Sequence, residues 1–234
     1  MLKLQELMAC HGIEIDDDLA ALLMDDLNAV IRINESINLT RIASEDAGVV
    51  RHLEDSLLGL KYLNEAPEGR YGDLGTGGGF PGIPLAIMTG RETVLIDSVQ
   101  KKINALLSIV DELGLSSRVS GYAGRIEDLA VVEPESFSAL TARALSSLPS
   151  LMELASPLLS KGGYLICYKA KPEQEETDSA IKLQKRLGLK LVSRETFTLT
   201  DGSTRCFFVF EKVDKPKVKL PRRVGMAQRN PLSC

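Results

Sequence analysis

The segment Asp73-Leu74-Gly75-Thr76-Gly77-Gly78-Gly79-Phe80-Pro81-Gly82 constrains this chain more than any other. It follows a short apolar run, Tyr71–Leu74, and precedes a stretch of helical pattern, Ile83–Met88, so it reads as a glycine-rich strand-to-helix turn. Glycines at such a turn let the backbone approach a ligand closely, and the helix start offers unpaired N–H groups to a negative or polar group. The next apolar run, Thr93–Asp97, ends in an acid twenty residues after Gly77. A carboxylate at the tip of the neighbouring strand is placed to accept hydrogen bonds from two ribose hydroxyls. Together the loop and the acid predict an adenosine-type cofactor at the switch point of an α/β sheet.

The surrounding pattern supports that sheet. Further strands are expected at Val119–Ala123, Phe137–Ala142, Tyr164–Lys169, Lys190–Thr198 and Cys206–Glu211, with helices at Lys101–Leu113, Leu148–Leu159 and Glu173–Leu187. Strands alternating with helices imply a mostly parallel sheet covered on both faces. The last two strands follow each other with no room for a helix, so one of them enters antiparallel. Before the sheet, residues 17–34 and 45–63 carry apolar residues at three- and four-residue spacings and read as amphipathic helices. The fold class expected is therefore α/β and doubly wound, in three segments: a helical extension 1–65, an α/β body 66–212 and a basic tail 213–234.

Composition narrows the chemistry. Apolar residues make up 44% and charged residues 26% of the 234-residue chain, an ordinary globular balance that sets aside disorder and disulfide scaffolds. Cys10, Cys167, Cys206 and Cys234 show no metal spacing, and only His11 and His52 are present, so neither a metal site nor disulfides are expected. There is no GxSxG elbow, and Ile83-Pro84 stands where a phosphate loop needs Lys and Ser/Thr. No apolar run approaches the roughly 18 residues of a membrane span, and the first residues lack the layout of a secretory signal. A cytoplasmic protein without a membrane partner, and with no obligate protein partner evident, is expected. Net charge is -4 but uneven: residues 1–60 carry twelve acids against four bases, and 211–234 seven bases against two acids. That tail is either a solvated terminus or a local phosphate contact.

The dinucleotide fingerprint G-x-G-x-x-G needs glycine where this chain has Phe80. An acid followed by G-x-G-x-G, here Asp73 with Gly75, Gly77 and Gly79, is instead similar to the loop of S-adenosylmethionine-dependent methyltransferases. More specific strings follow one another in order: Asn38-Leu39-Thr40, Val50-Arg51-His52-Leu53-Glu54-Asp55-Ser56-Leu57, DLGTGGGFPGIPLAI (73–87), LIDSVQKKINAL (95–106), Gly124-Arg125-Ile126-Glu127 and Ala142-Arg143-Ala144-Leu145. Over roughly residues 15–210 this resembles the RsmG (GidB) family. The resemblance implies a Rossmann-like class I methyltransferase fold and an enzyme that moves a methyl group from S-adenosylmethionine to N7 of a guanosine in 16S ribosomal RNA, in the small subunit or an assembly precursor. It implies cofactor contacts at Gly75, Phe80, Asp97, Ser98, Ile126, Glu127 and Arg143. The tail is similar to the basic end of some members, but Met226-Ala227-Gln228 departs from their GTPxKxPL form.

Guanine N7 is a lone pair without a proton, so no general base is expected, and transfer depends on alignment. Neither Cys167 nor Cys206 has the neighbouring proline of a cytosine-C5 nucleophile, and no (N/D)PP(Y/F) motif of an exocyclic-amine enzyme is present. Arg143, after the fourth strand, positions substrate or cofactor. Arg51, Lys169, Lys219, Arg222 and Arg223 are the candidate RNA contacts. His52, Asp55 and Ser56 share a helical face, read as closing over the pocket or as simple helix-to-body bonding. Two other classes stay open, an NAD-dependent oxidoreductase and a non-catalytic RNA-binding module on the same fold.

Overall fold

The computed structural model describes residues 4–40, 42 and 44–233; Cys234 lies outside them. Helices α1 (Leu4–Ala9) and α2 (Asp17–Asn34) open the chain. Helix α2 starts where its sequence says it should: Asp16 accepts a hydrogen bond from the Leu19 N–H at 2.7 Å, and Asp17 and Asp18 face the positive end of the helix dipole. Its buried stripe, Ala20, Leu23, Leu27 and Val30, packs in one apolar cluster with α6 (Gly82–Thr89) and α7 (Gln100–Glu112). The amino-terminal helices α1 and α2 thus share an apolar cluster with α6 and α7.

The predicted helix over 45–63 is broken into α3 (Glu45–Gly48), a π-helical turn (Val49–Glu54), α4 (Asp55–Leu57) and α5 (Leu60–Glu65). The break has a tertiary cause. A Cβ at Gly59 would lie 1.7 Å from the Tyr168 hydroxyl, which donates to the Ser56 carbonyl at 2.9 Å. Strand β5 thus inserts its tyrosine into the gap between α4 and α5.

The sheet has seven strands: β1 (Tyr71–Leu74), β2 (Thr93–Asp97), β3 (Val119–Ala123), β4 (Phe137–Arg143), β5 (Leu159–Lys169), β6 (Leu189–Thr198) and β7 (Thr204–Lys212). Their order is β3-β2-β1-β4-β5-β7-β6, with β7 antiparallel to both neighbours and the other pairs parallel. Side chains alternate between the two faces. In β7, Cys206, Phe208 and Phe210 join the cluster under α8 (Ile126–Val132), α9 (Leu148–Ala155) and α10 (Gln174–Leu183), whereas Phe207 and Val209 pack with Tyr62 and Tyr168 on the other face. Each fully buried phenylalanine contributes about 1.5–3 kcal/mol. Strand order reverses between β1 and β4, so their carboxyl ends diverge and leave a crevice there. No helix among the described residues is long and apolar enough to cross a membrane.

The tail departs furthest from expectation. Residues 213–233 fold back across α9: Val218, Leu220 and Leu232 pack on the core, and a short helix, α11 (Met226–Arg229), follows. Arg222 forms a paired ion bridge with buried Glu153, and the Ser150 hydroxyl donates to the Ala227 carbonyl at 2.7 Å.

Candidate active site

A cleft of about 880 Å³ opens at the carboxyl ends of β1, β2, β4 and β5. Its floor is the glycine turn, in which Gly75, Gly77 and Gly79 hold φ of +70°, +57° and +91°, a region that favours glycine. The Gly75 and Thr76 N–H groups donate to the Ile96 carbonyl at 2.8 and 2.9 Å, which welds the turn to β2. Asp73 lies beneath the turn. Buried in the sheet, it accepts from the Gly82 N–H (3.1 Å) and the Thr141 hydroxyl (2.7 Å), and burial raises its pKa. One of its oxygens holds the turn and the other ties it to β4, so among the residues expected to touch a cofactor Asp73 is a support that does not line the cleft. Gly79 is another, since its α-carbon faces Ile83 and Leu106.

Gly75, Gly77, Phe80, Asp97, Ser98, Ile126, Glu127 and Arg143 do line the cleft. Asp97 accepts from the Gly77 N–H at 3.2 Å and the Val99 N–H at 2.9 Å, which orients its carboxylate beside the loop. Glu127, at the start of α8, is nearly buried and accepts from the Gly225 N–H at 2.6 Å. This end of the cleft therefore presents carboxylate acceptors, the complement of a ligand rich in hydroxyl and amine donors.

The opposite end carries arginines. Asp55, 1% exposed, accepts from Arg143 (2.8 Å) and, through both of its oxygens, from Arg205 (2.5 and 2.7 Å). Arg143 also donates to the Arg51 carbonyl at 3.1 Å and to His52 Nδ1 at 3.3 Å. A guanidinium can only donate, so Nδ1 accepts and the Nε2–H donates to the Thr40 hydroxyl at 2.9 Å. The ring stacks on Phe80 with centroids 4.3 Å apart and planes within 6°. Burial, and secondarily the Arg143 charge, lowers the His52 pKa to about 3, so the ring is neutral. The π-helical turn carries Arg51 and His52 and leads into Asp55, and all three line the cleft. Extra-wide turns of this kind recur at functional sites.

Of the candidate RNA contacts, Arg51 bonds Asp201 at 3.0 Å while staying largely exposed, and Lys169 pairs with Glu176 at 2.7 Å on the cleft wall. Lys219 and Arg223 are exposed. Arg222 is turned inward onto Glu153, so its charge is committed within the fold. Arg205, Thr40, Lys102 and Gln228 also line the cleft, and the sequence pattern did not mark Arg205, Lys102 or Gln228. For Arg205 the sequence carries no signal, because its partner Asp55 is 150 residues away. Asp55 and His52 had one, their shared helical face. Cys167 is buried in β5, which pushes its thiol pKa up and removes it as a thiolate nucleophile. No cluster of potential metal ligands occurs among the described residues.

Comparison with known proteins places the chain. The profile of the GidB family, described as rRNA small subunit methyltransferase G, matches residues 20–200. The chain belongs to the rRNA small subunit methyltransferase G family. Among its relatives of that name, the protein of Pseudothermotoga lettingae is 34% identical over 232 residues, covering 99% of this chain and all of that protein. The one from Deinococcus radiodurans is 37% identical over 203 residues, 85% of this chain and 80% of its own length. Solved structures of methyltransferases share the fold: an O-methyltransferase from Bacillus cereus in complex with SAH gives a TM-score of 0.60 at 18% identity, over 88% of this chain and 96% of that one. A geranyl diphosphate methyltransferase in complex with GPP and sinefungin gives 0.57 at 14% identity, over 68% and 77%. The doubly wound α/β sheet expected from the alternation, and the Rossmann-like class I architecture that the resemblance implies, are thus observed. In this family member the amino-terminal helices and the tail both reach the cleft.

Proposed function

We propose that the protein transfers the methyl group of S-adenosylmethionine to N7 of a guanosine in 16S ribosomal RNA, carried in the small ribosomal subunit or a precursor of it. The observation that carries this reading is a cleft with the Asp97 and Glu127 carboxylates beside the glycine loop, the Arg143 and Arg205 donors clamped by Asp55, and a histidine, His52, held neutral with its Nδ1 turned to a cation. Asp97 suits ribose hydroxyls and Glu127 an exocyclic amine, so the donor set fits an adenosine cofactor. When bound, S-adenosylmethionine supplies an electrophilic methyl group on a sulfonium.

The chain's own residues supply alignment and charge. His52, with a pKa near 3 and its Nδ1 turned to a cation, is too weak a base to deprotonate an acceptor at neutral pH. Cys167, its thiol pKa raised by burial, provides no covalent route. Guanine N7 needs neither. Its Hoogsteen edge carries O6 beside N7, and the Arg143 and Arg205 guanidiniums, donors held rigid by Asp55, can hold O6 while the N7 lone pair stays free to attack the methyl carbon. Preorganised donors of this kind orient the base without cost at the moment of reaction. Arg51, Lys169, Lys219 and Arg223 are the cations proposed to meet phosphates.

Small-subunit RNA, incubated with the protein and S-adenosylmethionine, digested by nuclease and read by mass spectrometry, tests this. N7-methylguanosine is expected, and Cys167→Ala should give it too. Methyl on cytosine or on an exocyclic amine overturns the mechanism. Binding of NAD in place of S-adenosylmethionine, read by calorimetry, overturns the cofactor reading.

A further inference from the structure

The amino-terminal acids and the carboxyl-terminal bases invite the view that segment 213–233 is an RNA arm lying outside the body. The contacts it makes are of another kind. Arg222 is locked onto Glu153, a residue 2% exposed in the middle of α9. Beyond it the chain turns at Gly225, with φ of +80°, and there the buried Gly225 N–H donates to Glu127 Oε1 at 2.6 Å. One turn later Gln228 lines the cleft and accepts from Arg125 at 3.4 Å. The Ser150 hydroxyl clasps the Ala227 carbonyl from beneath. The tail therefore touches the body at the carboxylate proposed to read the cofactor's purine, and through Gln228 it also lines the cleft.

The consequence for Glu127 is specific. A carboxylate has two oxygens and about four lone-pair directions. Oε1 is engaged by the tail, while the nearest cation of Oε2 among the described residues is the Arg125 Nε, at 3.9 Å, beyond hydrogen-bond distance. A carboxylate held by one short N–H bond on one oxygen cannot rotate freely, and the other oxygen keeps a fixed direction.

We propose that the carboxyl-terminal segment is a wall of the cofactor site, in which the Gly225 N–H positions Glu127 so that its second oxygen accepts from the amine of the cofactor's adenine, with Gln228 closing the rim. This rests on reading the cleft as an S-adenosylmethionine site. Gly225 is a positioning residue: it acts through Glu127. Because coupling between two sites is reciprocal, a ligand that binds better to the closed wall must also hold the wall closed.

The test uses the full chain, with S-adenosylhomocysteine and S-inosylhomocysteine as probes, the second carrying an oxygen in place of the adenine amine. The parent should bind the adenine form more tightly. Gly225→Pro removes the donor and cannot adopt a positive φ. It should weaken S-adenosylhomocysteine by about tenfold, the scale of one hydrogen bond to a charged group, and bring the two affinities together. Gly225→Asn, tolerant of the left-handed region, should keep both affinity and preference. Loss of fold alone does not change a preference ratio. A measurement on the parent guards against a variant that fails to fold: S-adenosylhomocysteine should slow amide exchange in the 222–230 segment. If the parent binds and discriminates but Gly225→Pro does so equally, or if exchange in the segment is indifferent to ligand, the wall inference falls and the cofactor reading stands. If the parent binds neither probe, the cofactor reading falls and takes this inference with it.

Discussion

Replacing Asp55 by alanine should cost more stability than replacing any single residue it binds. The carboxylate is almost fully buried and accepts three hydrogen bonds from two guanidiniums. Removing one partner of a buried ion pair typically costs about 3–5 kcal/mol, because the charge left behind is desolvated and unpaired. Here two charges are left. Yet the Arg143 and Arg205 side chains are 12% and 16% exposed, and Arg143 keeps the Arg51 carbonyl, so partial rehydration argues for the lower end, about 3 kcal/mol. For a chain of this size 1 kcal/mol moves the melting temperature by about 2–4 °C, so a fall of roughly 6–12 °C is expected. Arg205→Ala should cost less, since Asp55 retains Arg143. In that background Asp55→Ala should cost less than it does alone, a coupling of about 1 kcal/mol or more. Thermal unfolding followed by circular dichroism reads all three variants. A fall under about 2 °C for Asp55→Ala, or strict additivity with Arg205→Ala, would refute the bridging role.

Four further outcomes are expected. Asp97→Ala should weaken S-adenosylhomocysteine binding by about 1–3 kcal/mol in calorimetry, and an unchanged Kd would remove Asp97 from the ribose contact. His52, with its folded pKa depressed to about 3, stays neutral while the unfolded chain takes up a proton below about 6.5. Its contribution is therefore full above that pH and drains away as pH falls toward 3, by up to about 1.4 kcal/mol per pH unit; parent and His52→Gln giving parallel urea midpoints across that window would contradict it. Asp26 is wholly buried in α2 with neither oxygen bonded, and burial raises its pKa. Its ionisation penalises the fold as pH rises from the unfolded value up to the raised one, so Asp26→Asn should raise the melting temperature with an advantage that grows over that rise, and a lower melting temperature throughout would show an unrecognised partner. Finally, Lys219→Ala with Arg223→Ala should flatten the salt dependence of RNA affinity by about 0.7–0.9 per lost phosphate contact, whereas Arg222→Ala should lower stability and leave the slope alone; equal slopes for the parent and the double variant would exclude Lys219 and Arg223 from RNA contact.

How far the fold was legible depended on whether each element was governed by its own residues. Strands β1 to β3 and helix α2 were, because alternation, glycine and an Asp cap are local signals. The helix expected over 148–159 instead stops at Ala155: Ser156 still keeps a helical conformation and donates to the Met152 carbonyl, but Pro157 has no N–H with which to continue the ladder. Leu159 then belongs to β5, which runs through Gly162-Gly163, a pair that reads as a turn in isolation. Helix 45–63 failed for a cause no window could contain, the Tyr168 side chain arriving at Gly59 from more than a hundred residues away.

The site divides along the same line. Its carboxylate end is written in consecutive residues, a glycine loop and the tip of the next strand, so the sequence reads out its ligand's chemistry directly. Its arginine end is assembled from a π-helical turn, the end of β4 and the start of β7, with Asp55 as the joint. Charge counting could not have found it, because the acid that organises it, Asp55, is one of the twelve acids of residues 1–60 and nothing in the count sets it apart. Nor could counting separate Arg222 from Lys219 and Arg223, which differ only in whether a buried glutamate waits for them. A basic tail is thus no single object: one of its arginines anchors it to α9, its glycine turn grips Glu127 beside the cleft, and only the residues left facing outward remain to meet a phosphate.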